Sequence, residues 1–104
     1  MVMHLVQFFL PLRNNEGTPF ARGDFAAVRR ELADRFGGVT AWLSAPAQGL
    51  WEDADGDLHG DEVLLVEVMD ADLDRAWWRA YRGRLEVAFH QEKVLMRVIE
   101  TEVL

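Results

Sequence analysis

Glu67 and Arg97 are the pair in this chain with the most chemical potential. Glu67 is the single polar residue in the run Val63 to Met69, and Arg97 lies in the last apolar stretch of the chain. A carboxylate can take or give a proton, and a guanidinium can hold developing negative charge, so together they suit acid–base chemistry. Asp53, Asp55, Asp57 and Glu62 offer oxygen ligands at nearly the spacing of a calcium loop. The loop glycine, however, falls at Gly56 instead of the sixth position, and Leu64 stands where the terminal glutamate belongs. The acidic run therefore reads as a solvated hairpin tip. His4, His59 and His90 share no metal-ligand spacing, so no metal site is expected. Thr40 and Ser44 have no nucleophile elbow or neighbouring histidine to activate them. The glycines form neither a dinucleotide fingerprint nor a phosphate loop, so no cofactor is implied.

The elements that must position these residues follow from periodicity. His4 to Leu10 is β-compatible and closes at Pro11, and Arg13 to Pro19 has the turn chemistry of a connecting loop. Asp24 is expected to cap a helix with an apolar stripe at Phe25, Val28, Leu32 and Phe36, stopped by Gly37-Gly38. Val39 to Ala45 alternates as a strand, Trp51 resumes an extended arm, and Asp53 to Asp57 turns the chain. The return arm contains Val63 to Met69, apolar enough to be central and covered on both faces. Asp72 is expected to cap a second helix, with Trp77, Tyr81, Leu85 and Phe89 on its buried stripe. The adjacent Trp78, about 100° around the helix, is then placed at the flank. Val94 to Glu102 alternates as the final strand.

This order predicts a single α+β domain over residues 1–104, ferredoxin-like (β-α-β-β-α-β), with two helices on one face of a four-stranded antiparallel sheet ordered 4-1-3-2. Strand parity then sorts the side chains. Val6, Phe8, Val39, Ala41, Leu43, Leu64, Val66, Val68, Val94, Met96 and Val98 form an apolar set facing the helices. Leu5, Gln7, Phe9, Thr40, Trp42, Ser44, Leu65, Glu67, Leu95, Arg97 and Ile99 fall on the opposite, open face. An apolar face of that size calls for a cover, and a homodimer packed sheet to sheet as a dimeric α+β barrel supplies one. Gln7, Phe9, Trp42 and Ser44 would line the enclosed space as ligand-binding residues. Gln7, Glu67 and Arg97 should form a transverse row, with Gln7 in the middle. Glu67 should reach Gln7 or Arg97 directly or through one water, since a covered, unpaired carboxylate costs several kcal/mol.

With 18 acidic and 11 basic residues, the formal charge of −7 disfavours nucleic acid and anionic membranes as partners. The arginine clusters Arg29, Arg30, Arg35 and Arg79, Arg82, Arg84 read as solvated helix faces. Absence of cysteine removes disulfides, thiolate nucleophiles and iron–sulfur clusters. The apolar start lacks a basic leader and a cleavage site, so a cytoplasmic location is expected.

Phe36-Gly37-Gly38-Val39-Thr40, then Gly49-Leu50-Trp51 with Gly56, then Ala80-Tyr81 and Phe89-His90-Gln91-Glu92-Lys93-Val94-Leu95 resemble a group of small bacterial domains of unknown function. The resemblance implies a fold similar to the dimeric α+β barrel proteins, and no catalytic residue follows from it. Three functions remain open: a homodimer binding a small, partly apolar molecule over the open face; a cofactor-independent enzyme, isomerase or monooxygenase-like, with Glu67 as acid/base and Arg97 as charge stabiliser; or a structural module.

Overall fold

The computed structural model describes the backbone of residues 1–41, 47–52 and 58–104 and the side chains of residues 1–40 and 63–104. Trp42, Leu43, Ser44 and the turn Asp53 to Asp57 lie outside the described residues, and so do the side chains of Ala41, His59 and Glu62. The chain runs β1 (Val2–Pro11), α1 (Arg22–Phe36), β2 (Thr40–Ala41), β3 (Ala47–Glu52), β4 (Leu58–Asp70), α2 (Arg75–Ala88) and β5 (Met96–Glu102). The three long strands pair antiparallel in the order β4-β1-β5, and β2 and β3 both add to the outer edge of β4. Residues 58–62 of β4 pair with β3, beyond the stretch that β1 covers, so β3 and β4 continue as a two-stranded arm. No helix among the described residues is long and apolar enough to cross a membrane.

Parity assigns the core correctly for β1 and for the part of β4 that pairs with it. Val6, Phe8 and Leu10 of β1 pair with Val68, Val66 and Leu64 of β4, and all six are buried. They share one cluster with Val28 and Leu32 of α1, with Trp78, Tyr81 and Leu85 of α2, and with Phe89 and Val94. Both helices therefore cover the same face of the sheet. Each such aliphatic or aromatic side chain taken out of water contributes about 1.5–3 kcal/mol. Val98 departs from the expectation: it has the parity of the core but is 38% exposed, because β5 is the outermost strand.

Helix starts differ from the expected caps. Asp24 is three residues beyond the cap of α1, Ala21, and its carboxylate reaches back to accept the Ala21 N–H at 3.1 Å. Asp24 thus supplies the returning half of a capping box. In α2 the cap is Asp74 and not Asp72; its carboxylate accepts the Trp77 N–H at 3.1 Å. That start also corrects the tryptophans. Trp78 is buried at 3% exposure and Trp77 is half-buried, the reverse of the expected roles. Trp78 can go inward because its indole N–H donates to Asp70 Oδ2 at 3.0 Å and its ring stacks on Phe36 with centroids 5.0 Å apart. Trp77 instead stacks on Tyr81 and carries the Arg35 guanidinium 4.3 Å from its ring centre. Gly37, at φ 78°, closes α1 in the left-handed conformation that glycine adopts without strain.

Candidate functional site

The face of the sheet opposite the helices carries a polar row that crosses four strands. Glu67 of β4 is paired with Thr40 of β2 on one side and with Gln7 of β1 on the other, and Gln7 is paired with Arg97 of β5. Gln7 Nε2 donates to Glu67 Oε2 at 2.9 Å, and Arg97 Nε donates to Gln7 Oε1 at 2.8 Å. A primary amide suits the middle position because it offers a donor at one end and an acceptor at the other. The Gln7 side chain joins the carboxylate to the guanidinium with both of its ends bonded. Arg97 also lies over the Phe9 ring, its Cζ 5.5 Å from the ring centre, a cation–π contact on the same face.

Of the six candidate residues, Glu67, Gln7, Arg97 and Phe9 come together, while Trp42 and Ser44 lie outside the described residues. Thr40, the end of the row, had been assigned to the face but not to the row. Its Cα pairing with Glu67 depends on where β2 begins, and Gly37-Gly38 does not determine that. Of the histidines whose side chains are described, His4 Nδ1 sits 3.3 and 3.2 Å from the carbonyl oxygens of Asp70 and Ala71, and His90 follows α2 with its ring against Phe20. Among the described residues no cluster of three metal-ligating side chains occurs.

Beside Glu67 the surface dips into an open depression of about 640 Å³. Met3, Leu5 and Met69 form its apolar floor, and Thr40 with Gly37-Gly38 at the end of α1 forms one wall. Apolar walls with a few convergent polar groups are the usual make-up of a small-molecule site.

No protein-family model and no curated protein matches the chain. Its fold is similar to that of a phage SAM lyase solved in complex with S-methyl-5′-thioadenosine: the TM-score is 0.66 at 17% identity over 94% of this chain and 81% of that one. A phage SAM lyase in its apo state gives a TM-score of 0.64 at 15% identity, over 95% and 81% of the two chains. At these identities the likeness is one of fold.

Proposed function

We propose that the chain binds a small, partly apolar molecule of the nucleoside thioether class over the open sheet face, as a ferredoxin-like homodimer whose two sheets enclose the site in the manner of a dimeric α+β barrel. The observation that carries this reading is the hydrogen-bonded row Glu67–Gln7–Arg97, set beside an apolar depression. The row offers a ligand both a carboxylate and a guanidinium, and the methionine-lined floor offers soft, polarizable contact to an aromatic base or a sulfur. The fold neighbour solved with S-methyl-5′-thioadenosine supports the choice of ligand class. A second, enzymatic reading rests on that neighbour being a lyase. Glu67 would then take a proton from a sulfonium substrate, at the carbon next to the one bonded to the sulfonium, the C–S bond breaking to release the neutral thioether and leave an alkene, while Arg97 would stabilise negative charge as it develops.

Calorimetric titration with S-adenosylmethionine and with S-methyl-5′-thioadenosine tests the binding. Saturable binding of at least one is expected, weakened at least tenfold in Glu67→Gln and in Arg97→Gln. No binding of either compound would overturn the reading. Glu67→Gln should keep the fold, since its amide oxygen still accepts from Gln7, whereas Glu67→Leu leaves that donor unpaired at a cost of about 1–3 kcal/mol in urea unfolding. Formation of S-methyl-5′-thioadenosine from S-adenosylmethionine, abolished by Glu67→Gln, would separate the enzyme from a binding protein.

A further inference from the structure

On the helix side of the sheet, away from the polar row, α2 and β5 border a groove of about 130 Å³. Arg75, Arg79 and Arg82 line it, and their spacing of four and three residues puts them on one side of α2. Its apolar wall is Trp78 with Met96 and Val98, and Leu73, at φ 38°, closes one end.

Arg84 pairs with Glu31, Arg35 with Asp74, and Arg97 with Gln7, whereas Arg22, Arg29 and Arg30 have no such partner among the described residues; what distinguishes Arg75, Arg79 and Arg82 is that all three line one partly apolar groove. None of the three groove arginines has a hydrogen bond or ion pair among the described residues, and Arg82 Nε is buried without a partner. Like charges four residues apart on a helix repel, and a cation in the first helical turn, where Arg75 stands, opposes the helix dipole. The formal charge is −7, yet among the described residues no carboxylate pairs with this cluster. The exposed edge of Val98, core by parity and 38% accessible, lies directly against it.

We infer that this groove is a binding site for a small organic oxyanion, a phosphate or carboxylate on a short apolar body, with the anionic group held by Arg75, Arg79 and Arg82 and the body against Trp78, Met96 and Val98. Guanidinium groups are suited to oxyanions because their N–H forks meet two oxygens at once. The volume admits one such group and a ring or short chain, too little for a folded partner. The site is independent of the open face, since Met96 and Val98 point to the side of the sheet opposite Arg97.

The test is titration of the intact protein with phenyl phosphate, with inorganic phosphate and benzyl alcohol as controls, followed by amide, arginine side-chain and Trp78 indole NMR signals. Phenyl phosphate should give saturable shifts confined to Arg75 through Arg82, Met96 and Val98, at least tenfold tighter than either control. Arg79→Gln, at an exposed position, should weaken it at least fivefold with the spectrum otherwise intact; Arg75→Gln provides a second variant. Equal response to inorganic phosphate, shifts spread over Arg29 and Arg30, unchanged affinity in both variants, or no saturation would each overturn the proposal. Retention of phenyl phosphate binding in Glu67→Gln distinguishes this site from the one on the open face.

Discussion

Tyr81 shows how one buried side chain couples the two helices to pH. It is the chain's only tyrosine and is 2% exposed, and its hydroxyl finds no hydrogen-bond partner among the described residues. Burial pushes its phenol well above the ordinary range; the nearby Glu31 carboxylate adds to the shift, and Arg84, 5.0 Å from the ring centre, offsets part of it. The hydrogen bond from Arg84 to Glu31 in turn raises the Arg84 guanidinium. As pH rises past about 10, the unfolded chain releases the phenolic proton while the folded chain keeps it, so the native state loses stability by up to about 1.4 kcal/mol per pH unit. The phenolate absorbance should therefore appear only together with loss of structure. In Tyr81→Phe this alkaline loss should shrink. At neutral pH that variant should be as stable as the parent or up to about 1 kcal/mol more stable, since no buried hydroxyl is left unbonded. Phenolate formation at pH 10 with circular dichroism unchanged would show that the ring is not buried.

At the scale of elements, the end of α2 contains a side chain in a position that favours glycine. Phe89 caps the helix, His90 follows at φ 52°, the His90 N–H donates to the Val87 carbonyl at 3.3 Å, and the Gln91 N–H donates to the Glu86 carbonyl at 2.9 Å. This is the Schellman pattern, with histidine at the left-handed residue. A non-glycine residue there costs about 1–2 kcal/mol, so His90→Gly should raise the unfolding midpoint and His90→Val should lower it. A His90→Gly variant less stable than the parent would mean that the contact of His90 with Phe20 outweighs the backbone term. The comparison also shows why the sequence was legible in some places and not in others. Two-residue periodicity was enough to put Gln7, Glu67 and Arg97 on one face, because parity needs only one correct register and the apolar runs of β1 and β4 leave no alternative. Periodicity of 3.6 was not enough to choose between Trp77 and Trp78. Either could begin a stripe ending at Phe89, and the choice was made by Asp70, a tertiary hydrogen-bond partner for the Trp78 indole. Likewise Asp72 and Asp74 are equally good caps by type. Asp74 is used because Leu73 takes a left-handed turn between them, which no local pattern signals.

For the whole molecule the question is what covers the open face. A compact monomer of this mass exposes about 6000 Å², and one of this length has a radius of gyration near 13 Å. This chain exposes 7105 Å² and has a radius of 14.6 Å. The difference, on the order of 1000 Å², comes close to the roughly 800 Å² that each partner gives up in a standard interface. Two features of the described residues contribute to it. The arm formed by β3 and the outer half of β4 extends past β1 as two strands, and a lone two-stranded ribbon is marginal in water without further packing. The open face also leaves Leu95 55% and Ile99 43% exposed around the polar row. A second copy laid on that face would bury these side chains and give the arm a surface to pack on. We therefore expect sedimentation to report a dimer at micromolar concentration. Ile99→Glu, which places a carboxylate among Leu5 and the other apolar residues of the face, should shift it to monomer while circular dichroism keeps the helical signal. Arg29→Glu, on the solvated side of α1, should leave the dimer intact. If the parent chain sediments as a monomer at tens of micromolar, the enclosed site is lost as well, and the row Glu67–Gln7–Arg97 would have to act, if it acts at all, on a surface open to water.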